Sequence, residues 1–151
     1  MKLLLFDLDG TLIKAGGAGR KALNRAIYNI YGVRKDCGAN NLAGKTDLRN
    51  FKEAVFGAMK RWPKRPEMER VHQEYLRCLP YYVRLACRSK AYRLCPGIRS
   101  LLKTLGQNKE FLLGLGTGNV ELGARIKLMP SGLNDYFPFG GFGCDAYHRH
   151  I

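Results

Sequence analysis

The sequence predicts an α/β fold: a partial, Rossmann-like parallel sheet interrupted by a long α-helical insertion. Three observations carry that prediction. A short continuous apolar run from Lys2 to Leu8 stops at Asp9-Gly10, which is how a strand buried on both faces of a parallel sheet reads. Helical periodicity then occupies the chain as far as Pro96. Beyond Pro96, helix, apolar strand and helix alternate again, the rhythm of an α/β unit.

Taken in order, Leu23, Ile27, Ile30 and Tyr31 recur at helical spacing after the flexible Gly16-Gly17-Ala18-Gly19. Thr46 or Asp47 can cap a second helix, which lines up Phe51, Ala54, Val55, Ala58 and Met59. Pro66 suits the first turn of a third, with Val71, Tyr75, Cys78 and Leu79 apolar and a break or kink expected at Pro80. The whole stretch from 14 to 95 therefore reads as helical. Pro96-Gly97 opens a helix carrying Ile98, Leu101, Leu102 and Leu105. Phe111 to Leu115 is the second strand, closed by Gly116-Thr117-Gly118-Asn119, and Leu122, Ile126 and Met129 mark the next helix. A third strand is expected to begin within Tyr136 to Phe142.

A chain of 151 residues forms one ordinary hydrophobic core. Its 46% hydrophobic and 25% charged residues are a globular composition. No apolar run approaches the roughly 18 residues of a spanning helix, so no membrane partner is expected. Asp7 and Asp9 cut the apolar start too short for a signal peptide. Five cysteines, none spaced C-x-x-C, indicate neither a disulfide framework nor a zinc site, and make reduced thiols in a cytoplasm the expectation. Lys and Arg outnumber Asp and Glu by 26 to 12, for a net +14, and Tyr75 to Lys109 holds no acid. A solvated helical face accounts for that excess without a nucleic-acid partner. Charge does not decide the function.

The informative segment is Asp7-Leu8-Asp9-Gly10-Thr11, directly after the first strand. Ligands of open α/β sheets bind at the carboxyl ends of the strands. A turn at Asp9-Gly10 can bring the second carboxylate back beside the first. Two close carboxylates repel unless a cation or a shared proton intervenes, so a divalent metal is a natural companion. One acid can act as nucleophile while the other serves as general acid and base. At Thr117-Gly118, strand again turns into helix and offers a hydroxyl and backbone N–H groups to a phosphate oxygen. Gly114-x-Gly116 imitates a dinucleotide fingerprint, but Asn119 stands where the third glycine belongs.

Together these segments resemble the haloacid dehalogenase-like hydrolase superfamily, in its capped, phosphoglycolate phosphatase-like subgroup. The likeness extends through Gly16-Gly17-Ala18-Gly19-Arg20, Ala43-Gly44-Lys45-Thr46-Asp47, Ala124-Arg125-Ile126-Lys127-Leu128 and Gly141-Phe142-Gly143-Cys144-Asp145. It implies an α/β core of residues 1–13 and 96–151 and a helical cap of residues 14–95. It also implies an Mg²⁺-dependent phosphomonoester hydrolase acting on a small phosphorylated metabolite through an aspartyl-phosphate. Asp7 would attack phosphorus, and Asp9 would protonate the leaving oxygen and then activate water. Magnesium would contact the Asp7 carboxylate and the Asp9 carbonyl. Thr117, Gly118 and Lys127 would hold the phosphate, and Arg20 and Lys45 are the nameable substrate contacts from the cap.

The fourth motif of that family, an acidic pair completing the magnesium site, belongs downstream of residue 145. The 151 residues thus read as a C-terminally truncated enzyme, expected to bind magnesium weakly and to expose its first strand for self-association. The rival reading is a catalytically incomplete fragment serving as a basic binding module. Residues 39–46 fit a relaxed Walker A pattern, but no buried strand precedes them. His72, His148 and His150 lack ligand spacing, and Trp62 reads as a packing residue rather than a base-stacking platform.

Overall fold

Strand β1 (Lys2–Phe6) runs parallel to β2 (Phe111–Gly116), in a register that sets Lys2 against Phe111 and Phe6 against Leu115. The structure, a computed structural model, describes residues 1–37 and 41–145. Residues 38–40 within the expected cap and 146–151 at the end of the expected core, with His148 and His150, lie outside the described residues. On its far side β2 pairs with a two-residue strand, β3 (Gly140–Gly141), so the sheet order is β1-β2-β3. This third strand begins inside the expected Tyr136 to Phe142 window, two residues long, and a turn of 3₁₀ helix at Asn134–Tyr136 precedes it.

The chain leaves β1 through a tight turn in which the Leu8 carbonyl accepts from the N–H groups of Leu12 and Ile13. Gly10 sits at φ +83°, a conformation that costs other residues and not glycine. Leu8, Leu12 and Ile13 are all fully buried beneath this turn. Ile13–Ala15 and Tyr92–Leu94 form an antiparallel ribbon that brackets the helical insertion at both ends. Three-residue strands such as Ile-Lys-Ala and Tyr-Arg-Leu are too short to show a period of two against the surrounding helices.

Inside the ribbon lie α1 (Ala18–Tyr31), α2 (Asp47–Met59) and α3 (Arg65–Arg88). Helix α1 buries Ala22, Leu23, Ala26 and Ile27 and ends at Gly32, φ +69°. Thr46 caps α2, its hydroxyl accepting from the Arg49 N–H at 3.3 Å. Helix α3 runs unbroken for 24 residues, straight through Pro80. An internal proline costs about 3 kcal/mol. Burying Leu79 and Val83 contributes roughly 1.5–3 kcal/mol each, together enough to offset that cost. Both side chains are buried in the core shared with α1.

Helices α4 (Ile98–Gln107) and α5 (Glu121–Leu128) complete the α/β portion. Leu102, Leu115, Leu128, Leu133 and Phe137 form its fully buried centre. The expectation of a first strand buried on both faces fails. Leu3 and Leu5 are 55% and 56% exposed, because no described element covers the sheet face on which they lie; among the described residues β1 is also an edge strand. No described helix is long and apolar enough to cross a membrane.

Candidate active site

Because β1 and β2 are parallel neighbours, their carboxyl ends open at the same edge of the sheet. Asp7 leaves one strand and Thr117 the other, and both line a single cavity of about 280 Å³. Asp7 is half-buried, with Oδ1 accepting from the Leu8 N–H at 2.9 Å. The turn at Gly10 brings Asp9 into the same cavity, its side chain 48% exposed.

Lys127 lies one element further on, on α5. It is only 6% exposed, and its ammonium reaches Asp9 Oδ2 at 3.0 Å and Asn119 Oδ1 at 2.7 Å. Asn119 closes the network, its amide donating to Asp9 Oδ2 at 2.9 Å and to Thr117 Oγ1 at 2.8 Å. Burial works against an ionised Asp9, but the Lys127 cation and the Asn119 amide together outweigh it and hold the carboxyl below its ordinary range. Thr117 Oγ1 also accepts the Asn119 N–H at 3.2 Å. A hydroxyl accepting twice keeps its own hydrogen to donate. The Gly118 N–H donates to no described residue.

The helical insertion roofs this cavity. Lys45 lines it with its ammonium paired to Glu53, while Arg20 sits at the rim with its guanidinium gripped by Asp36 on two atoms. Arg20 is 50% exposed and paired with Asp36, whereas the buried cation of the cavity is Lys127. A Cβ on Gly19 would stand 3.2 Å from Lys127 Nζ and 3.4 Å from the Tyr75 hydroxyl, so a bare backbone makes room for the lysine.

Three participants escaped the sequence reading as functional residues: Asn119, Tyr75 and Asp47. Tyr75 reads as a core position by helical spacing, yet its hydroxyl end lines the cavity, and burial holds its pKa well above the ordinary value. Asp47 reads as a helix cap. Its carboxylate instead crosses to α5 and accepts the Val120 N–H at 2.9 Å, while Thr46 does the capping. Burial pushes the Asp47 carboxyl up to about 6 in spite of Lys127. For Asn119 a signal was present: it replaces glycine just where the chain needs a side chain to link Thr117 to Lys127.

The donor set suits a hard cation. Asp7 and Asp9 both line the cavity and carry oxygen donors, the ligand type magnesium takes. Among the described residues, no group of three or more His, Cys, Asp or Glu side chains is placed to hold a metal ion. The residues of the relaxed Walker A pattern that are described, Asn41 to Thr46, lead into α2 and follow no described strand.

No family model matches this sequence, nor does any curated protein. Solved structures do match. A predicted phosphoglycolate phosphatase from Haemophilus somnus aligns at TM-score 0.64 and 19% identity, covering 95% of this chain and 63% of its own. A hydrolase from Pseudomonas syringae gives 0.68 and 18%, covering 97% and 63%. CbbY from Rhodobacter sphaeroides, in complex with phosphate, gives 0.67 and 17%, covering 97% and 65%. The chain has the haloacid dehalogenase-like fold. It spans 60–65% of the length of these and similar structures. In that fold the crevice at the strand ends is where Asp7, Asp9, Thr117 and Lys127 meet.

Proposed function

We propose that the protein is a phosphomonoester hydrolase of the cytoplasm, acting on a small phosphorylated metabolite of the phosphoglycolate type, with residues 14–95 as its cap. One observation carries the reading: Asp7 and Thr117 end adjacent parallel strands in a cavity whose cation, Lys127, is tied to the second acid, Asp9. CbbY, of like fold, has been solved with phosphate and, as a mutant, with xylulose-(1,5)bisphosphate. That precedent supports a small phosphorylated substrate. A basic binding module explains neither the paired acids nor the buried Lys127.

The chemistry follows from the contacts. Thr117 Oγ and the Gly118 N–H receive two phosphate oxygens, and the incoming phosphate draws the Lys127 ammonium from Asp9 toward itself. Freed of its counter-charge, Asp9 takes up a proton. Asp7 attacks phosphorus, the bond to the ester oxygen breaks, and Asp9 gives its proton to that oxygen. Asp9, again a carboxylate, then accepts a proton from water as the water's oxygen attacks phosphorus, releasing phosphate and restoring Asp7. Magnesium, held by the Asp7 carboxylate and the Asp9 carbonyl, would supply charge neutralisation for the transfer.

The test is phosphate release from a panel of small phosphomonoesters with and without magnesium, followed by borohydride reduction during turnover. Homoserine at position 7 is the expected product of trapping the acyl-phosphate. Absence of both phosphate release and position-7 reduction across the panel would overturn the reading.

Among the described residues nothing pairs with the outer edge of β1, which gives a second expected result. Leu3 and its register partner Leu112 are both exposed, beside Leu5 and Phe139. An unpaired apolar strand edge recruits other strands. The chain is therefore expected to self-associate through β1, seen as oligomers by light scattering. A monodisperse monomer with strongly protected amides from Leu3 to Phe6 would contradict this.

A further inference from the structure

We infer that Asp47 is a positioning residue, fastening the helical insertion to the phosphate-handling loop and setting that loop's geometry. The inference rests on the hydrolase reading above and adds to it a residue on the opposite element. Asp47 uses two atoms. Its backbone N–H donates to the Gly118 carbonyl at 2.7 Å, and its carboxylate accepts the Val120 N–H at 2.9 Å. These bonds straddle Asn119, whose N–H and amide engage Thr117 and whose amide also meets Asp9 and Lys127. Gripping residues 118 and 120 therefore fixes both peptide planes that flank Asn119.

The contact is close as well as polar. A Cβ on Gly118 would lie 2.5 Å from the Lys45 carbonyl oxygen and 3.3 Å from the Thr46 Cα, so the two backbones touch and only glycine fits. Val120 begins α5 without any side-chain cap of its own. The Asp47 carboxylate, coming from 73 residues away in sequence, places a negative group at that helix start, where the backbone dipoles favour it. Helix α5 carries Lys127, so this one side chain steadies the loop that meets the phosphate and the helix that delivers the cation. Asp47 touches no reacting atom in this scheme and acts through Gly118, Asn119 and Val120.

Two variants separate positioning from mere packing. Asp47→Ala removes the acceptor, whereas Asp47→Asn keeps an oxygen able to accept from Val120. Three quantities are measured on the same proteins: amide exchange of residues 117–121, affinity for inorganic phosphate, and kcat and KM for the best phosphomonoester. Expected for Asp47→Ala are faster Val120 exchange, roughly tenfold weaker phosphate binding and a drop of roughly tenfold or more in kcat/KM. A melting temperature lowered by a few degrees through the unpaired Val120 N–H, and recovery of most of both losses in Asp47→Asn, are also expected. Unaltered Val120 exchange overturns the fastening. Faster exchange with wild-type phosphate affinity overturns the positioning role, and an Asp47→Asn variant as impaired as Asp47→Ala does so too. Wild-type protein releasing no more phosphate than its Asp7→Asn variant would sink the hydrolase reading instead, while amide exchange and phosphate affinity still decide on Asp47.

Discussion

Replacing Asp7 with asparagine is expected to abolish phosphoryl transfer, with turnover falling roughly 10³-fold or more, while the fold persists. The amide has the volume of the carboxylate, but its oxygen is a poor nucleophile toward phosphorus. The structural cost is small because acceptance of the Leu8 N–H by Oδ1 can pass to the amide oxygen. Asp7 is half-buried and lines the cavity rather than packing in the core. The melting temperature should therefore stay close to that of the wild type, and borohydride trapping should leave no homoserine at position 7. Turnover within about tenfold of wild type would remove Asp7 as the nucleophile, since losing a covalent nucleophile costs far more than that.

What made Asp7 legible in the sequence is that its chemistry is local. Five consecutive residues after an apolar run state the strand, the turn and both acids. Thr117 was legible for the same reason at the end of the second strand. Lys127 was harder, since only the family resemblance picked it from 26 basic residues, and its burial depends on α5, Gly19 and Tyr75 meeting around it. Asp47 and Asn119 were read as local residues, one a cap and the other a failed glycine, because sequence does not display partners 73 and 110 positions away. The β-ribbon from Ile13 and Tyr92 was missed because its strands are three residues long. Pro80 misled in the opposite direction. Its local cost is real, and only the tertiary burial of Leu79 and Val83 reverses the outcome. Long-range pairing, in each of these instances, is what local pattern does not carry.

Lys127→Met is the second change with a large expected effect, and it divides chemistry from stability. Methionine matches the lysine stem in length and suits a site only 6% exposed. The substitution removes an ammonium whose burial is costly unless paired. It also leaves Asn119 Oδ1 without its 2.7 Å donor, a loss of about 1–3 kcal/mol for a buried acceptor. These terms oppose each other, so the melting temperature should move little. Activity should instead fall roughly 10²-fold or more, because the cavity loses the cation that meets the developing phosphate charge. The pH response gives the sign. Asp9 is held below the ordinary carboxylate range against the pull of burial, and Lys127 supplies most of what holds it there. Without that cation, burial dominates and the Asp9 carboxyl must titrate at higher pH. The stabilisation from Asp9's depressed pKa is present above its unfolded value and is lost as pH falls through the folded one, so in the variant less remains to lose on acidification. Carbon-detected titration of Asp9 in metal-free protein checks the direction. An Asp9 titration unmoved by Lys127→Met, with activity near wild type, would mean that the 3.0 Å contact between them is packing and not the electrostatic centre of the site.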